Sequence, residues 1–118
     1  MSPYLPVALV LSLAIAGCGG EPPVLAGDPK RGQLLLRQYG CSACHEIPGV
    51  AGARGNVGPP LEGVARRAYL GGVLPNTPEN MARWIRGPRR FDPLTPMPDM
   101  QVTEPHARDM VAYLYQER

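Results

Sequence analysis

Cys41, Cys44 and His45 stand together in the run GCSACHEIPG, from Gly40 to Gly49. Two thiols and an imidazole at this spacing serve three kinds of chemistry: a dithiol switch, part of a zinc knuckle, or attachment of a larger prosthetic group. Zinc wants four Cys or His ligands, usually as two separated pairs. Beyond Cys18 near the N-terminus, only His106 could add a ligand, and the adjacency of Cys44 and His45 makes joint coordination awkward. A thioredoxin-type pair needs a βαβ setting that places its thiolate at a helix N-terminus. Here the pair follows the end of a helical segment, and no strand alternation is visible. Covalent attachment fits better. Two thiols at this spacing can add to the two vinyl groups of one porphyrin, which places the next residue beneath the iron. C-x-x-C-H is a specific signature of c-type haem attachment. Cys41 and Cys44 are therefore the expected attachment points and His45 the expected proximal ligand.

An iron held this way needs a second axial group. His106 falls in the first turn of the last helix, beside Glu104 and Pro105, and reads as a solvated surface residue. Met81 and Met110 lie on apolar helix faces and read as core. Met97 and Met100 lie in the proline-rich stretch FDPLTPMPDMQ. Thr95-Pro96-Met97-Pro98 is the better candidate, because prolines hold a loop extended and so present a thioether rigidly. Met100 remains the alternative. A His/Met pair favours Fe(II) and raises the potential. It also leaves no open position for a small-molecule substrate, so the expected task is one-electron transfer and not enzymatic catalysis. A small peroxidase or gas sensor would need Met97 off the iron, and no distal His or Arg motif supports that.

The elements that must position these residues are helical. Asp28-Pro29 is a helix start, with an Asp N-cap and Pro at the first helical position. Leu35, Leu36 and Tyr39 give this helix an apolar side, and Gly40 stops it just before Cys41. Residues 46–60 read as loop, 61–69 as one or two short helical turns, and 70–77 as loop again. Thr77-Pro78-Glu79 opens a second helix that runs through ENMARWIR to Gly87-Pro88, with Met81, Trp84 and Ile85 on one side. Thr103 caps a last helix reaching about Gln116, in which Ala107, Met110, Val111 and Leu114 follow the helical period. The expected fold is all-α: three main helices and long loops wrapped around one covalently bound haem. Irregular chain of this length is reasonable in a small domain when a flat cofactor supplies part of the core.

The 118 residues give room for one small domain. The net charge of +2 is too mild to imply nucleic acid. Its distribution is uneven: residues 54–90 carry seven arginines against Glu62 and Glu79, whereas residues 91–118 carry a net −3. The arginine-rich middle reads as solvated surface, with steering of a partner as its functional alternative. At the other end, the uncharged run Leu5–Ala16 is 12 residues long. That is short of the roughly 20 a membrane span needs and fits the apolar region of an export signal. Its end, Ile15-Ala16-Gly17-Cys18, resembles the lipobox of bacterial lipoproteins, although the n-region lacks Lys or Arg. The resemblance implies a signal peptide over 1–17, lipidation at Cys18, a tether over 18–27 and a folded domain over 28–118. A retained helical anchor is the alternative. Either way the domain is expected outside the cytoplasm, on the outer face of the cytoplasmic membrane or in the periplasm, where haem–thiol chemistry also belongs.

From Gly27 onward the chain resembles a class I (monohaem) cytochrome c. Gly58-Pro59-Pro60-Leu61 matches the family's Gly-Pro-x-Leu turn. The resemblance implies that the Pro59 carbonyl accepts a hydrogen bond from His45. Gly32 and Tyr113 match the contact by which the terminal helices cross. Trp84 stands where the family has an aromatic near the haem and its methionine, and Arg67 where members place an arginine near the haem propionates. The segments LPNTPENMARWIRGP and MPDMQVTEPHARDMVAYL are similar to the cytochrome c domains of haem–copper oxidase subunit II. The implied function is a lipid-anchored carrier in a bacterial respiratory chain, accepting electrons from a quinol-oxidising complex and donating to a terminal oxidase. The alternative is a fixed monohaem subunit of a larger membrane redox complex.

Overall fold

The computed structural model describes Gly17, Gly19, Gly20 and residues 24–116. The signal-peptide and Cys18 expectations fall outside the described residues. Three α-helices form the frame: α1 (Pro29–Gln38), α2 (Pro78–Arg86) and α3 (Glu104–Gln116). Helix α3 packs across both α1 and α2. Among the described residues, no helix is long and apolar enough to cross a membrane.

The helix starts follow from their capping residues. The Asp28 carboxylate accepts from the N–H groups of Lys30 (2.9 Å) and Arg31 (3.1 Å), and Thr77 Oγ1 accepts from Asn80 N–H at 3.1 Å. Both helices carry proline in the first turn, where the missing N–H has no intrahelical partner to lose. Helix α1 ends as Gly40 turns into the left-handed region (φ 78°) and its N–H bonds to the Arg37 carbonyl at 3.0 Å.

Apolar spacing decides what each helix buries. Helix α1 contributes Leu35 and Leu36; α2 contributes Met81, Ala82, Trp84 and Ile85. Helix α3 is buried nearly all round through Ala107 and Met110–Leu114, as suits the central member of a small bundle. Val24, just ahead of α1, is also buried, and Leu25 packs against the core. The end of the stretch expected as tether thus lies against the domain. At Gly32 a Cβ would sit 1.9 Å from the Asp109 carbonyl oxygen, so the α1 and α3 backbones touch directly. Tyr113 of α3 is buried in the core, and its hydroxyl donates to the Pro48 carbonyl at 2.5 Å.

Three features were not foreseen. Residues 69–75 include a small hairpin, β1 (Tyr69–Leu70) paired antiparallel with β2 (Leu74–Pro75). Three residues, Gly71 to Val73, join the strands, and Gly71 and Gly72 both have positive φ, which glycine adopts at no steric cost. Second, His106 is half-buried and its Nδ1 lies 2.8 Å from the Tyr39 hydroxyl. The expectation of a solvated histidine fails because the first turn of α3 crosses the end of α1, where Tyr39 stands.

Third, Asp109 is almost fully buried, in a helix whose buried residues are otherwise apolar. Its carboxylate accepts from Asp28 N–H (2.7 Å) and Arg31 Nε–H (2.5 Å). Burial works against this charge, but the Arg31 and Asp28 hydrogen bonds and the charges of Arg31 and His106 outweigh it and hold the carboxyl below its ordinary range. A carboxylate depressed in the folded state adds stability above its unfolded pKa of about 3.9, and that stability is lost as pH falls through the folded value. Asp109→Asn should therefore lower the urea midpoint at neutral pH and flatten its fall below about pH 4. Urea titrations of both proteins across that range check this.

Candidate functional site

Cys41, Ser42 and Ala43 form a single 3₁₀ turn directly after Gly40. The Cys41 carbonyl accepts from Cys44 N–H (3.2 Å) and His45 N–H (3.0 Å). One tight turn thus gathers the two thiols and the imidazole. Neither cysteine is in a disulfide. Burial pushes the Cys41 thiol up, the nearby Cys44 adding to it and a backbone hydrogen bond only partly offsetting it. That is opposite to the depressed thiol of a dithiol exchange centre. Among the described residues, no group of three or more His, Cys, Asp or Glu side chains is arranged to hold a metal ion.

The imidazole is fixed from the opposite loop. His45 Nδ1 lies 2.7 Å from the Pro59 carbonyl oxygen. A carbonyl can only accept, so Nδ1 carries the proton and Nε2 keeps its lone pair for a metal. Gly58 lies against the ring: a Cβ there would come within 2.4 Å of Cε1 and 2.9 Å of Nε2. Gly55 permits a similar approach, to the backbone of Ala43 and Cys44. Backbone bonds from Gly58 N–H to Cys44 O (2.7 Å) and from Leu61 N–H to Glu46 O (2.8 Å) hold the two segments together. Gly58→Ala should push the ring off Pro59, and the histidine N–H should exchange faster with solvent when followed by NMR.

The described part of the chain that holds this geometry, residues 29–117 but for the last, matches the family model described as Cytochrome c, which spans 29–117. The chain belongs to the cytochrome c family. A search of curated proteins found no match. Cytochromes c bind haem covalently, and Cys41 and Cys44 match their attachment motif. The chain is therefore a haem-based electron-transfer protein and not an enzyme. The position of the cytochrome c domain after the N-terminal segment suggests export.

The residues present fit this group: two unpaired thiols on one turn, and an imidazole held with Nε2 free. The remaining sequence-predicted residues of the cytochrome c domain come from three places. Arg67 is half-buried, its guanidinium donating to the Pro60 carbonyl beside His45's own acceptor. Trp84 is buried, with Phe91 at 6.5 Å between ring centroids and Gly71 close beneath its ring. Met97 packs on the same core, whereas Met100 is 37% exposed.

The loop around Met97 is held by its own polar side chains. Asp92 Oδ1 accepts from Leu94 N–H (3.0 Å), the Asp92 carbonyl from Thr95 N–H (3.1 Å), and Thr95 Oγ1 from Met97 N–H (3.3 Å). Asp99 Oδ1 accepts from Gln101 N–H at 2.8 Å, and Gln101 has a positive φ of 57°. The prolines account for the extended course; these bonds account for its shape. Asp92 and Thr95 were missed in the sequence, although Asp and Ser/Thr two residues before an N–H are a recognised local signal.

Proposed function

We propose that this cytochrome c is a lipid-anchored one-electron carrier of a bacterial respiratory chain, reduced by a quinol-oxidising complex and oxidised by a terminal oxidase. Haem c, attached to Cys41 and Cys44, supplies a one-electron Fe(III)/Fe(II) couple. His45 Nε2 and the Met97 sulfur would hold its iron. The observation that carries the reading is the 2.7 Å contact of His45 Nδ1 with Pro59, which orients the imidazole and raises its basicity toward a metal. Met97, on a loop fixed by Asp92 and Thr95, would complete the iron's ligands and exclude water from it. By the family resemblance, Arg67 would stand near a haem propionate and Trp84 near the haem and its methionine, and Arg67 has donors beyond the one given to Pro60. A closed coordination shell limits rearrangement between the two oxidation states, which favours fast electron hops without bond chemistry.

The anchor is Cys18, at the end of a signal peptide over 1–17, and the domain begins at residue 28. The tether is short, since Val24 already packs on the core. It holds the carrier close to the outer face of the cytoplasmic membrane, where integral redox partners reside. Exposed Arg83, Arg89 and Arg90 add a basic surface suited to steering. The test is solubilisation of the membrane in mild detergent, followed by mass spectrometry of the mature N-terminus and redox kinetics. The carrier should migrate alone, bear lipid on Cys18, be reduced by quinol oxidation and be reoxidised by the terminal oxidase. Stoichiometric co-migration with a larger complex would replace the carrier by a fixed haem subunit. An unmodified terminus beyond Cys18 would remove the anchor.

A further inference from the structure

Asn76 stands between the hairpin and α2 and has no part in the site as described so far. Its side-chain amide is fully engaged. Nδ2 donates to the carbonyls of Val64 (2.8 Å) and Arg67 (2.9 Å). Oδ1 accepts from the Tyr115 hydroxyl of α3 at 3.1 Å. Its backbone N–H bonds to the Ala68 carbonyl at 3.0 Å. One amide thus grips the start of the short helical turn at Val64 and its exit at Arg67, and is itself gripped by α3.

The turn leads back to the axial histidine. Pro59 and Pro60 have no N–H, so this dipeptide can be anchored only through its carbonyls. The Pro59 carbonyl is taken by His45 and the Pro60 carbonyl by the Arg67 guanidinium. The flanking backbone bonds of Gly58 and Leu61 bracket the dipeptide without fixing the two carbonyls. The direction in which Pro59 presents its oxygen therefore depends on where Arg67 is held, and that depends on Asn76.

We infer that Asn76, oriented by Tyr115, is a positioning residue for His45: it fixes the 64–67 turn so that Arg67 restrains Pro60 and keeps the Pro59 carbonyl on Nδ1. The inference rests on His45 being the axial ligand. An imidazole whose Nδ1–H is engaged is the stronger donor through Nε2 and stabilises the oxidised metal. Loosening the clamp weakens that donation and shifts the couple toward Fe(II).

The experiment compares holoprotein carrying Asn76→Ala, Asn76→Asp or Tyr115→Phe with the wild type. Two quantities are read: the midpoint potential, and the exchange rate of the His45 Nδ1 proton by NMR in the reduced state. Asn76→Ala should speed that exchange and shift the couple several-fold toward the reduced form. Asn76→Asp keeps an acceptor for Tyr115 but loses both donors, and should match Asn76→Ala. Tyr115→Phe removes one hydroxyl, leaves the packing intact, and should shift both quantities in the same direction by less. In an Arg67→Ala background, Asn76→Ala should add nothing further to the potential. Loss of stability with exchange and potential unmoved would overturn the inference and leave Asn76 a structural clip. A lowered potential would also overturn it, since water entry would then outweigh the histidine. The underlying reading is checked apart from these variants: a normal holoprotein from His45→Ala would remove the ligand itself.

Discussion

Met97→Ala is expected to abolish the weak long-wavelength sulfur-to-iron absorption band of the oxidised protein and to open the reduced protein to carbon monoxide near neutral pH. The midpoint potential should fall by on the order of a few hundred millivolts, because water or a nitrogen ligand stabilises Fe(III) where a thioether favours Fe(II). The loop should survive the change. Its shape is set by Asp92, Thr95 and Asp99, none of which is altered, and its backbone N–H at 97 keeps its bond to Thr95. Met100→Ala serves as the control. Met100 is partly exposed, with its methyl group 3.7 Å from where a Cβ on Gly40 would stand, and its loss should leave the band in place. If the band instead follows Met100, the ligand has been misassigned while electron transfer stands. A wild type that lacks the band and takes up carbon monoxide at once would mean an open iron, and the carrier reading would fail.

Gly32→Ala is expected to cost about 3 kcal/mol or more, the upper range for forcing atoms into packed space. A methyl at this position has no flexible neighbour to displace. It meets the Asp109 carbonyl oxygen at 1.9 Å, its carbon at 2.4 Å and the Met110 nitrogen at 2.9 Å, all backbone. Relief requires α1 and α3 to separate, which would also stretch the Asp28 and Arg31 bonds to Asp109. Against a total stability of about 5–15 kcal/mol for a domain of ordinary size, such a loss should be plain in thermal or urea unfolding of the holoprotein. An unchanged midpoint would show that the crossing can widen freely. Gly27, whose Cβ would stand 2.6 Å from the Arg108 carbonyl oxygen, marks the same close approach one turn earlier.

These two glycines show what kind of information the sequence carries. Local signals were legible. Asp28-Pro29 and Thr77-Pro78 announce their helices because an N-cap and an N1 proline act within four residues. C-S-A-C-H announces itself because attachment chemistry demands that spacing, and the bond from His45 to Pro59 was readable through the family's Gly-Pro-x-Leu turn. Contacts that depend on distant chain were not legible. Asp109 sits among apolar residues of α3, and its partners lie 78 and 81 positions away. Asn76 reads as a residue before a helix cap; nothing nearby announces that Tyr115 and two carbonyls will converge on it. His106 gave no sign of Tyr39, 67 positions earlier. The hairpin was invisible for another reason: strands of two residues are too short to show alternation.

The crossing of α1 with α3 also sets a timetable. Arg31 and Asp109 are 78 residues apart, so docking the two helices closes most of the domain into one loop. By the chain-length term alone that closure costs about 4 kcal/mol, and nothing repays it until the last helix exists. A chain made from its N-terminus therefore leaves α1 without its packing surface while the C-S-A-C-H turn is already exposed. The α1–α3 contact therefore cannot form until the last helix has emerged.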